Sequence, residues 1–153
     1  MIVRDSDGMA AEAARFVARL SPRADGATVV ALSGDLGAGK TAFVKGAATA
    51  LGVREHVTSP TFVIMKIYDL QRQAFRRLVH IDAYRLKGAH HLKVLGWDEL
   101  LRDPQNLICL EWPEQAEGAI PASAIRITLR YSGEHERAIS YEGLESEEAV
   151  GTA

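Results

Sequence analysis

The 153-residue chain has a formal net charge of −2, which argues against a domain whose whole surface is a basic platform for nucleic acid. Its length suits a single domain, 1–153, that buries about 70% of the surface its unfolded chain exposes and needs no covalent or metal staple. One cysteine excludes an internal disulfide, and no apolar run approaches the ~20 residues of a membrane span. The opening Met1-Ile2-Val3-Arg4-Asp5 lacks the charged-then-apolar pattern of an export signal, so a cytoplasmic protein without a membrane anchor is expected.

In chain order, Gly8 to Leu20 reads as a helix with Asp7 as N-cap and Met9, Ala13, Phe16, Val17 and Leu20 on one apolar face. Ala27 to Leu32 is β-branched and apolar enough for a buried parallel strand, and Phe43, Val44, Ala47 and Leu51 then recur at helical spacing, with Gly52 as a stop. A polar, proline-marked segment, Thr58-Ser59-Pro60-Thr61, precedes an alternating run from Phe62 to Leu70. A turn at Gln71-Arg72-Gln73 leads to a second run, Phe75 to Asp82, expected to pair back antiparallel.

Leu92, Leu95, Leu100 and Leu101 favour short helices between His90 and Arg102, broken at Gly96. Asn106 to Glu111 is a compact strand. Ile125 to Tyr131 and Arg137 to Tyr141 form a hairpin around Ser132-Gly133-Glu134, and 144–153 reads as a frayed acidic tail. The pattern predicts an α/β fold of three layers, with a mixed parallel and antiparallel sheet and helices on its faces.

Charge is unevenly spread. Residues 66–93 hold seven basic side chains against two acidic ones, and 134–150 hold Arg137 against six glutamates. Solvated surface explains both; the basic stretch is also suited to nucleotide phosphates, RNA or an acidic partner. Cys109, inside Leu107-Ile108-Cys109-Leu110, reads as a buried and inert thiol.

The chemistry concentrates at Gly34-Asp35-Leu36-Gly37-Ala38-Gly39-Lys40-Thr41, a complete G-x-x-x-x-G-K-[ST] loop between the predicted strand and helix. Its glycines let the backbone curl around a polyphosphate and aim N–H groups inward, beside the positive end of the following helix. Lys40 is placed to reach the β- and γ-phosphates, and the Thr41 hydroxyl to offer an oxygen to Mg²⁺.

Two further strands, Leu78 to Asp82 and Leu107 to Glu111, each deliver a carboxylate at their C-terminal end, the end where ligands bind in open α/β sheets. Asp82 and Glu111 are therefore candidates to hold Mg²⁺ or orient the attacking water, making Lys40, Asp82 and Glu111 the expected catalytic set. His80 reads as a hydrogen-bonded core histidine, with no metal-type spacing around it. Trp112 reads as packing that fixes the loop of the acid, while Arg85 suits either a phosphate or an ion pair. Thr58, Ser59 and Thr61 suit either a γ-phosphate-sensing segment or a capped turn.

Together, residues 33–41, Ser59-Pro60-Thr61-Phe62, His80-Ile81-Asp82-Ala83-Tyr84-Arg85-Leu86 and Glu111-Trp112-Pro113 resemble the TsaE (YjeE) family of bacterial ATPases, over about residues 5–143. The resemblance implies a small P-loop ATPase whose slow hydrolysis resets a TsaD–TsaB complex making threonylcarbamoyladenosine in tRNA, the transferase chemistry residing in TsaD. It implies ATP and Mg²⁺ as cofactors, TsaD- and TsaB-like partners, transient or indirect tRNA contact, and a monomer when alone.

Nucleotide contacts are implied for Asp35, Leu36, Gly37, Ala38, Gly39, Lys40, Thr41 and Ala42, joined by Ser59, Thr61 and Arg137. Thr41, Glu111 and Asp82 are the implied metal set. Ala42 departs from the family, which usually repeats a hydroxyl there, and Asp69 to Arg77 is individual to this chain. Two alternatives stand beside this reading: a small-molecule kinase with Asp82 as base, and a non-catalytic nucleotide-dependent docking switch. A guanine-specific site is disfavoured because the chain has no Asn-Lys-x-Asp segment.

Overall fold

The computed structural model describes residues 1–35, 37–55 and 65–144. Its centre is a seven-stranded sheet whose strands, named in chain order, are β1 (Ile2–Val3), β2 (Thr28–Gly34), β3 (Met65–Asp69), β4 (Arg77–Asp82), β5 (Asn106–Glu111), β6 (Ile125–Gly133) and β7 (Glu136–Glu142). The spatial order is β1-β7-β6-β2-β5-β4-β3. The four inner strands β6, β2, β5 and β4 are parallel, while β3, β7 and β1 add antiparallel edges. The expected mixed sheet is therefore present, with α1 (Ser6–Ala18) and α2 (Lys40–Ala50) on one face and α3 (Ala89–Val94), α4 (Trp97–Arg102) and a short 3₁₀ segment at Pro113–Ala119 on the other.

Side chains alternate across the sheet with a period of two, and this sorts the core into two halves. Val30, Leu32, Leu78, Leu107 and Cys109 face α1 and α2, where Phe16, Phe43 and Val44 cover them. Val29, Val79, Ile81, Ile108 and Leu110 face the other way, onto Leu92, Trp97 and Ala116. Because β4 and β5 run parallel with Asp82 opposite Glu111 and His80 opposite Cys109, the same alternation puts His80 and Glu111 on the α2 face. That register assembles the site described below.

Several details differ from expectation. α1 starts two residues earlier than read, with Asp5 as N-cap: its carboxylate accepts from the Gly8 backbone N–H at 2.7 Å, and Asp7 falls in the first turn instead. The β6–β7 turn is Glu134-His135, with Ser132 and Gly133 still in strand. Phe75 is buried but precedes β4. Leu144, read as the first residue of the tail, packs against the core on the α1/α2 face, whereas 145–153 lie outside the described residues. The two-residue strand β1 carries too little pattern to be read from sequence. It pairs with β7 through Ile2–Ala138 and Val3–Arg137, which brings the start of α1 next to the loop at 34–41. Among the described residues, no helix is long and apolar enough to cross a membrane.

Candidate functional site

The loop at 34–41 leaves the C-terminal end of β2 and enters α2. At Gly34, φ is +149° and a Cβ would lie 2.3 Å from the Leu129 carbonyl oxygen of β6, so only glycine permits this close approach. Gly39, at φ +105°, is the N-cap of α2 and supplies no side-chain cap. The first N–H groups of α2 are thus left to a ligand, and the helix dipole favours an anion there.

Lys40 is buried and turned back on its own loop. Its Nζ donates to the carbonyl oxygens of Gly34 at 2.6 Å and Asp35 at 2.8 Å, and it sits 4.1 Å from the centre of the Trp112 ring. Burial pulls its pKa below the ordinary lysine value, against the opposing pull of Glu111, Glu114, Asp35 and Asp82. The two carbonyls and the aromatic face hold the ammonium in place, and the carboxylates further off favour its charged form.

One residue on, the Thr41 hydroxyl donates to Glu111, 3.0 Å from Oε1 and 3.1 Å from Oε2. Glu111 is itself buried, and its Oε2 lies 2.6 Å from His80 Nε2. The Asp82 carboxylate sits one strand further out, beside Glu111 in register, with Oδ1 accepting from the Tyr84 N–H at 3.0 Å. The structure therefore pairs Thr41 directly with Glu111, while Asp82 borders that pair. Among the described residues no three His, Cys, Asp or Glu side chains cluster for a metal. Mg²⁺ does not require such a cluster, since it keeps waters and takes one or two protein oxygens beside phosphate. The convergent hard oxygens of Thr41 and Glu111 fit that ion.

A cavity of about 520 Å³ adjoins the loop. It is walled by Val3–Ser6 and Met9 from the N-terminal segment, by Gly37, Gly39 and Ala42, and by Glu134, His135 and Arg137 from the hairpin. Arg137 lies with its guanidinium 4.1 Å from the centre of the Tyr131 ring, and its Nη1 donates to the Glu136 carbonyl. The Tyr131 hydroxyl in turn sits 2.8 Å from where a Gly37 Cβ would stand. Arg137 is thus brought to the loop from more than 90 residues away in sequence. Ala42, without a hydroxyl, still lines this wall.

Arg85 is exposed. Leu36, Ser59 and Thr61 lie outside the described residues. Trp112 does more than pack: at φ +60° it is held in the left-handed region between Glu111 and Pro113, its ring against both Lys40 and Tyr84. The contact of Trp112 with Lys40, the place of Tyr131 and the wall formed by residues 3–6 escape sequence reasoning. The one available signal was the position of Trp112, directly after the strand-end acid.

Comparison with known proteins bears on this arrangement. The family model for "Threonylcarbamoyl adenosine biosynthesis protein TsaE" matches residues 6–139. The chain is similar to the tRNA threonylcarbamoyladenosine biosynthesis proteins TsaE of Bacillus subtilis, 38% identical over 74% of this chain and 68% of that one, and of Streptomyces coelicolor, 39% identical over 77% and 76%. With the Borreliella burgdorferi protein of that name it is 40% identical over 61% of this chain and 65% of the relative. The crystal structure of Bacillus subtilis YdiB superposes with a TM-score of 0.73 at 29% identity, over 98% of this chain and 88% of that one.

Proposed function

This chain belongs to the TsaE family, and on that premise we propose that it is an ATP-binding, slowly hydrolysing, Mg²⁺-dependent ATPase that assists a TsaB–TsaD-type complex in the threonylcarbamoyladenosine modification of tRNA. The observation that carries the nucleotide part is the convergence of Lys40, Thr41 and Glu111 at the uncapped start of α2. The loop N–H groups and the α2 N-terminus bind the phosphates, and Lys40 exchanges the Gly34 and Asp35 carbonyls for phosphate oxygens, a stronger acceptor for an ammonium.

Thr41 and Glu111 hold Mg²⁺, which when bound neutralises charge on the phosphates. Asp82, at the neighbouring strand end, orients the water. The adjoining cavity takes the nucleoside, with Arg137, held over the Tyr131 ring, in its wall. The family's part in tRNA threonylcarbamoyladenosine biosynthesis supports assistance to tRNA-modifying partners, and a tRNA-modification role suits work in the cytoplasm.

Steady-state ATP hydrolysis tests the site. Lys40→Ala and Thr41→Ala are expected to lower turnover by about 100-fold or more, the scale of losing one preorganised electrostatic contact to the transition state. Glu111→Ala is expected to do the same while the far-UV circular dichroism stays native. Wild-type rates in Lys40→Ala would contradict the assignment.

A further inference from the structure

His80 is fully buried in β4 on the face that meets α2, and of its two ring nitrogens only Nε2 has a partner among the described residues. That partner is Oε2 of Glu111 at 2.6 Å, while Nδ1 has no hydrogen-bond partner among the described residues. An ionised carboxylate oxygen only accepts, so the bond requires a proton on Nε2. Glu111 therefore receives two donors, Thr41 Oγ1 and His80 Nε2. The first is also an expected metal ligand, whose oxygen must turn to the ion. The second has nothing else to do.

We propose that His80 is the positioning residue of this site: its Nε2–H pins Oε2 of Glu111, so that the carboxylate keeps facing Thr41 and presents its remaining lone pairs to a divalent cation. The inference rests on the reading of Glu111 as a metal ligand. Its physical basis is that a buried carboxylate on a flexible two-carbon stem has several rotamers. A donor fixed in the strand alongside selects one of them. Support of this kind from outside the ligand set typically changes metal affinity 10–100-fold when removed.

The matched variants are His80→Gln, whose amide nitrogen reaches the position of Nε2, and His80→Asn, whose amide nitrogen reaches only that of Nδ1. His80→Leu adds a donorless side chain of similar bulk. The readout is Mn²⁺ affinity of the full-length protein saturated with ADP, from the electron paramagnetic resonance signal of free Mn²⁺, alongside ADP affinity in EDTA. Wild type and His80→Gln are expected to bind Mn²⁺ within about 3-fold of each other, while His80→Asn and His80→Leu lose about 10- to 100-fold, all with unchanged metal-free ADP affinity.

Wild-type Mn²⁺ affinity in His80→Asn overturns the inference, as does an equal loss in His80→Gln and His80→Asn. The Gln/Asn pair decides the matter even if His80→Leu fails to fold. Absence of Mn²⁺ binding by the wild-type ADP complex would instead overturn the reading of the metal site, and the inference with it.

Discussion

Lys40 shows how a residue can be prepared for a ligand without one. Its ammonium, buried and bonded to two carbonyls of its own loop, is already desolvated, so much of the cost of bringing it to a phosphate has been met by the fold. Cys109 is the opposite case, a group excluded from chemistry. Burial, with a smaller contribution from the Glu111 charge, raises its pKa from the ordinary 9.0 to about 12. The folded state therefore holds the thiol proton more tightly than the unfolded chain does. That stability is fully present below pH 9 and is lost as pH rises from 9 towards 12, by up to about 1.4 kcal/mol per pH unit. Urea unfolding across this range is expected to show the decline in wild type and a flatter curve in Cys109→Val; identical slopes would contradict it.

The elements show what could be read from sequence and what could not. β2, the glycine-rich loop and α2 were legible because each has a local cause: a β-branched run, glycines at positive φ, and apolar residues at helical spacing. The acids Asp82 and Glu111 were legible as strand ends for the same reason. Their relation to one another was not, since which carboxylate stands beside Thr41 depends on strand order, with β5 next to β2 and β4 one place further out. The cavity wall from Val3–Ser6 likewise depends on β1 joining β7, a pairing of two residues set by tertiary contact.

Helix packing adds a testable detail. A Cβ at Gly46 would stand 3.0 Å from both Ala10 Cα and Ala13 Cβ, so α1 and α2 approach closely through small residues. Gly46→Val is expected to lower stability by about 1–3 kcal/mol through overpacking, read as a fall in Tm; a Tm equal to wild type would show that α1 moves aside without cost.

At the scale of the molecule, the sheet sorts charge as well as side chains. The basic stretch 66–93 runs through β3, β4 and α3 at one side of the sheet, and the acidic residues of 134–142 belong to the β6–β7 hairpin towards the other. Between them, the C-terminal ends of β2, β5 and β4 carry the 34–41 loop, Glu111 and Asp82. The loop and the two strand-end acids thus lie at the centre of the sheet, between stretches of opposite charge. ATP handled at this loop is proposed to sustain tRNA modification by a partner complex. The most direct test is threonylcarbamoyladenosine formed on tRNA by purified TsaB- and TsaD-type proteins under multiple-turnover conditions, with this protein or its Lys40→Ala variant added. Continued product formation beyond the first turnover with wild type, and arrest after it with Lys40→Ala, is the predicted result; equal product with either protein, or no effect of the wild type beyond the first turnover, would contradict the account.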